Sequence, residues 1–377
     1  MDFILSDRVF RINRPEEIAT PALVLFYDRF VHNLKKMRKL LAEVDSAYTL
    51  KMLCPHVKTH KSEWITRQMI GAGIEYFKAS PNEVDMLISA GAKKIFVAYP
   101  LIGHQLDKIA RLVKKHRDIR FYVQASRDKH IEYLKNAADK YDVVWNFYID
   151  VDVGMHRTGI EPERIIPFYF SIPSVSSLSL AGLHAYDGHN TSSDEKVRRE
   201  ETKRVVDRLA ETVHNCREHH IEVDEIMIGG TPSFLIDLEY LHNVKLDVDI
   251  RLSPGTWVYF DSKQNTISPG TFEVAVYLLA QVMDKPSSDI ATLNIGHKRW
   301  AVDQGPAESF SISHMRALSW SEEHTVVNAA DSLAIGDYVL FAPRHVCSTV
   351  NLWEKMTVVD ASGEVIEDAV PIDARNR

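Results

Sequence analysis

The chain has 377 residues, 45% of them hydrophobic and 26% charged, with a net charge of -7. That length holds one large barrel with a smaller module, and the composition is that of a soluble globular protein without the basic excess that nucleic acid demands. Three scattered cysteines, Cys54, Cys216 and Cys347, exclude a disulfide framework, and the sequence offers neither a signal-peptide core nor an apolar run approaching ~20 residues. The expectation is a cytoplasmic protein with small-molecule partners, no nucleic acid and no membrane.

From Thr20 onward, short β-branched or aromatic runs alternate with longer charged segments of helical period, the pattern of βα units around a parallel sheet. ALVLF (22–26), MLCPHVKT (52–59), EYFKAS (75–80), KIFVAYP (94–100), RFYVQAS (120–126), VVWNFYIDVD (143–152), LSLAGLHAYD (178–187), EIMIGG (225–230) and VDIRLSPG (248–255) read as strands. Segments 28–44, 81–92 and 192–219 read as helices between them. About eight such units predict a closed (β/α)8 barrel of the TIM type over residues 20–261. Past Asp261 the rhythm changes. GTFEVAVYLLAQVMD, TLNIGHKRWAVD, HTVVNA and DYVLFAPRHVCSTVNLW have strand character with little room for helices, which predicts a β domain over 262–377. The apolar first segment, FILSDRVFRIN, is expected to join residues 1–19 to that domain by pairing.

Functional groups of such a barrel gather at the carboxyl ends of its strands. Five polar clusters fall there: HVKTHK (56–61), DVDVGMHRTG (150–159), HAYDGH (184–189), GGTPS (229–233) and SPGT (253–256). A solvated basic turn explains one cluster but not five in register. The turns GGT and PGT can bring backbone N–H groups close to a phosphate, although such turns mostly mark ordinary loops. In RHVCSTVNLW (344–353), β-branched residues argue for a strand, which puts His345 and Cys347 on one face. Imidazole with thiolate suits zinc and leaves positions open for water or substrate, although an H-x-C pair taken alone is more often coincidence.

A lysine on an early strand within PHVKTHK, an arginine in DVGMHRTG, then GGTPS and SPGT, then a β domain carrying HVC: this succession resembles the fold-type III pyridoxal-phosphate enzymes. Within them it is most similar to the D-threonine aldolase and D-serine dehydratase group of the alanine-racemase-like superfamily, from about Thr20 to about Thr357. The resemblance implies an alanine-racemase-like barrel, a C-terminal β domain, a homodimer, and a lyase acting on 3-hydroxy-D-amino acids by retro-aldol cleavage or by dehydration and deamination. It implies Lys58 as the lysine that carries pyridoxal 5'-phosphate covalently, Arg157 against the cofactor's 3′ oxygen, and Tyr186 as a ring contact. Gly230, Thr231, Gly255 and Thr256 are implied around the phosphate. His345 and Cys347 are implied as ligands of a divalent metal, zinc foremost, with manganese and magnesium as alternatives.

The chemistry agrees with Lys58, because a strand-end amine beside His56, His60 and Lys61 has its nucleophilic form favoured by burial and like charge. Lys61, on the opposite face of a strand, is read as solvated. His56, His60, His184 and His189 are candidate bases, His60 foremost, since histidine titrates near neutrality, although most of the 17 histidines must be incidental. Ser253 stands where alanine racemases carry an arginine facing the pyridine nitrogen, and no tyrosine motif supplies a second base, so an amino-acid racemase is the lesser alternative. A non-catalytic pyridoxal-phosphate-binding relative of the barrel-only kind would lack the β domain.

Overall fold

A computed structural model describes residues 1–5, 8–307, 309–328 and 333–376, so Ser6, Asp7 and Ala329 of the expected strands lie outside the described residues. The chain divides into two compact units, one of residues 37–58 and 66–255, the other of residues 1–36, 59–65 and 256–377. The expected division is 20–261 against 262–377 with 1–19; here residues 20–36, 59–65 and 256–261 also fall with the C-terminal third.

The chain opens with an antiparallel hairpin, β1 (Asp2–Leu5) and β2 (Arg8–Arg11), and continues to β3 (Ala22–Phe26). The hairpin forms its own two-stranded sheet instead of pairing with the larger one. Its apolar face, Phe3, Leu5 and Phe10, joins the core made by Val24, Phe26, Tyr277, Leu279 and Leu340.

In the first unit, seven parallel strands follow one another in space as in sequence: β4 (Tyr76–Ala79), β5 (Lys94–Val97), β6 (Arg120–Ala125), β7 (Trp145–Val151), β8 (Leu178–Ala185), β9 (Glu225–Ile228) and β10 (Asp249–Leu252). Residues 53–56 close the ring. Leu53 bridges Leu252 and His56 bridges Lys78, with Cys54 N–H donating to Leu252 O at 2.7 Å and Lys78 N–H to Pro55 O at 3.0 Å. This eighth stave makes only bridges, because Pro55 has no N–H and short 3-10 turns, Leu50–Met52 and Val57–Thr59, flank it. The result is the expected alanine-racemase-like barrel, with inward-facing Cys54, Tyr76, Phe96, Tyr148 and Met227 packed at its centre.

The correction concerns ALVLF. β3 is not the first barrel strand: it pairs antiparallel with β11 (Val276–Ser287) in the second unit. Beyond it follow β12 (Ile290–Leu293), β13 (Ser309–Phe310), β14 (Ala317–Trp320), β15 (Thr325–Asn328), β16 (Tyr338–Ala342), β17 (Lys355–Val359) and β18 (Val365–Pro371). Their main path runs β14-β15-β12-β11-β3-β17-β18, with β16 against β11 and β13. All five residues of β3 are buried, as a strand central to either kind of sheet requires, so local composition does not distinguish the two fates.

Candidate active site

Within the barrel unit, the clusters at the carboxyl ends of the strands converge on Tyr186, one residue past the end of β8. Lys58 Nζ lies 5.9 Å, Lys78 Nζ 5.4 Å and the Arg157 guanidinium 5.1 Å from its ring centroid. Three side chains chosen from the sequence, Lys58, Arg157 and Tyr186, therefore meet, and Lys78 joins them. Each is held by local chain geometry. Lys58 sits in a 3-10 turn and not on a strand, with its N–H donated to His56 Nδ1 at 3.2 Å. The Arg157 loop is pinched at its base by Asp152 N–H to Ile160 O and Ile160 N–H to Asp150 O. Inside the loop, the Asp152 carboxylate accepts the Gly154 and His156 N–H groups, both at 3.0 Å. Gly159, at φ 108°, leaves no room for a β-carbon, which would stand 2.6 Å from Asp152 N.

Beneath this set the barrel interior is polar. Lys78 Nζ is 2.7 Å from His184 Nε2 and 3.1 Å from Ser253 Oγ, and Asp150 Oδ1 is 2.7 Å from His184 Nδ1. Gln124 Nε2 donates to the other Asp150 oxygen at 3.1 Å. Burial raises the Asp150 carboxyl, but its bond with His184 and the nearby charges outweigh that and hold it below the usual range. Burial and the Lys78 charge push His184 down to about 4, and burial pushes Lys78 down to about 7.

The glycine turn GGTPS precedes the helix Phe234–Val244. Its Gly230 N–H is given to Asp187 Oδ1 at 3.1 Å and to Ser233 Oγ at 3.2 Å, so this residue shapes the loop and its amide is engaged. Asp187 and Asp237 are buried, and burial shifts both carboxyls upward, toward the neutral form. Thr231 and Gly255 lie in the turns after β9 and β10. A cleft of about 770 Å³ lined by Lys114, Arg117, Arg120 and Asn146 opens at the amino ends of β6 and β7, away from these groups. Strand-end chemistry, not cleft size, singles out the candidate site.

In the second unit, HVCSTV is not a strand. Pro343 ends β16, His345 caps a short helix, Val346–Val350, and Cys347 is its second residue. The His345 side chain makes no capping bond to the backbone, but its ring is within hydrogen-bonding reach of the Cys347 side chain, so the expected pair is together without a strand. His345 Nδ1 is 2.6 Å from Asp303 Oδ2. Burial alone would lower His345, but Cys347 and Asp303 outweigh it and hold the imidazole up at about 9. Cys347 Sγ lies 3.2 Å from Thr59 Oγ1 and 3.6 Å from Thr256 Oγ1, so the hydroxyl expected at a phosphate reaches the thiol. Among the described residues, no group of three or more His, Cys, Asp or Glu gathers as a metal cage.

Two expectations meet resistance here. His60 is 1% exposed, accepts the Ser62 N–H at 3.2 Å, and is pushed by burial down to about 3, which makes it a poor base. Lys61 is buried, not solvated, and donates to Asn351 Oδ1 at 2.6 Å. Sequence reasoning missed Lys78 and Asp303. For Lys78 a signal existed: a lysine in EYFKAS shares the inward face of a strand with Tyr76.

A family model described as alanine racemase, N-terminal domain, matches residues 27–263, and one described as putative serine dehydratase domain matches residues 275–359. The chain is 26% identical to a D-threonine aldolase of Arthrobacter sp, over 95% of this chain and 93% of that protein. It is 22% identical to a 3-hydroxy-D-aspartate aldolase of Paracoccus denitrificans, over 96% and 93% of the two chains. Among solved structures, D-threonine aldolase from Filomicrobium marinum superposes with a TM-score of 0.85 at 26% identity, covering 94% of this chain and 95% of that one. Among the described residues, no helix is long and apolar enough to cross a membrane. A strand-ordered barrel with Lys58 at its mouth, followed by a matching second domain, establishes that the chain belongs to the alanine-racemase-like superfamily, in its D-threonine aldolase and D-serine dehydratase branch.

Proposed function

We propose that this protein is a pyridoxal-phosphate- and divalent-metal-dependent lyase that cleaves 3-hydroxy-D-amino acids between C2 and C3, releasing glycine and an aldehyde. The carrying observation is the meeting of Lys58, Arg157 and Tyr186 at the barrel mouth, in a chain similar over nearly its full length to aldolases of such substrates. The residues fit the cofactor: an amine for covalent attachment, a guanidinium fork for a phenolate-like oxygen and an aromatic face. Thr231 and Gly255, with the turn shaped by Gly230, are the remaining candidates for its phosphate. They fit a metal as well, since Asp303 on Nδ1 leaves Nε2 of His345 for coordination beside Cys347. Two donors suit a centre completed by water or substrate, and the thiolate favours zinc over manganese or magnesium.

In this reading Lys58 would hold the cofactor covalently, and the Arg157 guanidinium would hold the phenolate-like oxygen of its ring. Pyridoxal phosphate, when bound, supplies the electron sink. A metal held by His345 and Cys347 would make the substrate hydroxyl easier to deprotonate. Overall the C2–C3 bond would break, the hydroxyl would lose its proton to become the aldehyde's carbonyl, and C2 would gain one proton to become that of glycine, so the cleavage balances without a co-reactant. Elimination is the second reading, favoured by the serine dehydratase match over 275–359: Lys58 would take the α-proton, the C3 oxygen would leave as water, and a water molecule would then hydrolyse the resulting enamine, through its imine form, to a keto acid and ammonia. A cytoplasmic homodimer completes the proposal.

Purified protein given D-threonine, D-serine and D-3-hydroxyaspartate separates the readings. Glycine without ammonia supports cleavage, and pyruvate or oxaloacetate with ammonia supports elimination. No product from any of the three, with a cofactor absorbance indifferent to all, counts against the lyase.

A further inference from the structure

Lys78 is the one lysine in the interior layer of barrel residues described above, and it is 4% exposed. Its bonds fix the hydrogens around it. Asp150 accepts from His184 Nδ1, so Nε2 carries the lone pair and takes an N–H from Lys78. Ser253 donates its own hydrogen to Gly229 O at 3.1 Å and so accepts a second N–H from Lys78. Two of three valences of Nζ are thereby spent. The third is a hydrogen when the group is an ammonium and a lone pair when it is an amine. Lys58, Lys78 and Arg157 all lie within 6 Å of the same aromatic ring.

We propose that Lys78 is a proton-holding residue of this site, its third valence offered to bound pyridoxal phosphate as a donor or an acceptor while His184 and Ser253 keep it in place. The inference rests on the cofactor reading above. Its surroundings allow both forms near neutrality. Burial is the strongest influence and disfavours the charge; Lys58 and Arg157 act with burial, Asp150 against it, and the group lies at about 7. The exchange is a simple proton transfer: the N–H bond of Lys78 breaks, the pair stays on Nζ, and the proton passes to the bound group, returning by the same path.

The test follows the visible absorbance of the holoenzyme against pH in the native protein, Lys78→Met and Lys78→Arg. Borohydride trapping and peptide mapping of each first locate the cofactor. The native protein is expected to show a spectral transition near pH 7. Lys78→Arg, always charged, should hold the acid-side spectrum at alkaline pH, and Lys78→Met the alkaline-side spectrum at acid pH. A merely structural lysine would shift both variants the same way. Retention of the native transition in Lys78→Arg with the label on Lys58 overturns the proposal, even if Lys78→Met fails to fold. Absence of label from Lys58 in the native protein instead removes the cofactor reading, and this inference with it.

Discussion

Asp303 illustrates how much a single side chain outside the expected motif does. Its carboxylate sits 2.6 Å from His345 Nδ1, and Ser348 Oγ lies 3.1 Å from the same nitrogen, so the ring has one orientation for Nε2. Loss of such support typically costs 10- to 100-fold in metal affinity, that is about 1.4 to 3 kcal/mol. Asp303→Ala is expected to weaken zinc binding by about that factor in chelator competition; an unchanged dissociation constant would show that His345 needs no orienting partner. A second residue tests burial. His60 binds a proton near 6.5 when unfolded but only near 3 when folded, so between those values the unfolded chain holds more protons and stability rises with pH. Acidification below pH 6.5 should therefore destabilise the native protein relative to His60→Asn, by up to about 1.4 kcal/mol per pH unit. The comparison between variants cancels the opposing contribution of Asp261, whose carboxyl burial pushes up to about 6. Urea midpoints at pH 7 and pH 5 give the answer, and a difference independent of pH would mean that His60 is hydrated in solution. The candidates that the geometry brings together, Lys58 with Arg157 and His345 with Cys347, are legible in the sequence as residue types. Their partners are not: Asp303 stands 42 residues from His345, and no local pattern announces such a pairing.

Elements carry the next layer of information, and β8 shows how an irregularity in one strand aims a site. Opposite β7, Phe147 pairs with Leu180 but Tyr148 with Gly182, a one-residue bulge that resets which residues of β8 face inward. His184 and Ala185 follow that reset register, with Tyr186 immediately beyond. Gly182 has φ 146°, and a β-carbon there would stand 2.0 Å from the Glu225 carbonyl oxygen of the neighbouring strand. Gly182→Ala should therefore part β8 from β9, at a cost of roughly 3 kcal/mol or more, the range where backbone clashes lead. Fluorescence-monitored urea unfolding and borohydride-trapped cofactor content should both fall; a native-like midpoint with full loading would show that the strands tolerate the shift. Alternation of apolar and polar runs made the barrel strands readable, because each βα unit repeats the same local pattern. β3 is misread for a physical reason: its partner β11 lies more than 250 residues away, and an apolar pentapeptide before a helix looks alike in either sheet. The HVC segment was misread as strand because β-branched residues outweighed the proline that ends β16 one turn earlier.

At the scale of the molecule, the chain crosses between its two units several times, since residues 59–65 belong with the C-terminal third although 37–58 and 66–255 build the barrel. Composition and period reveal two kinds of architecture but not an excursion of seven residues, which has no pattern of its own. The division has a measurable consequence, because the candidate metal ligands and their hydroxyl partners all lie in one unit, whereas Lys58, Lys78, Arg157 and Tyr186 all lie in the other. A ligand stabilises what it binds by RT ln(1 + [L]/Kd), about 2.7 kcal/mol at a hundredfold excess over Kd, which slows exchange through opening of that unit by about 100-fold. Adding zinc to metal-free protein should thus protect amides of β16 and the helix Val346–Val350, while pyridoxal phosphate should protect those of β7 and β8. Hydrogen exchange read by mass spectrometry in four states, with neither, either and both, resolves the two effects. Should zinc protect β7 and β8 as strongly as β16, the two sets of ligands would belong to a single cooperative unit, and the division of the chain into two units would not describe its opening in solution.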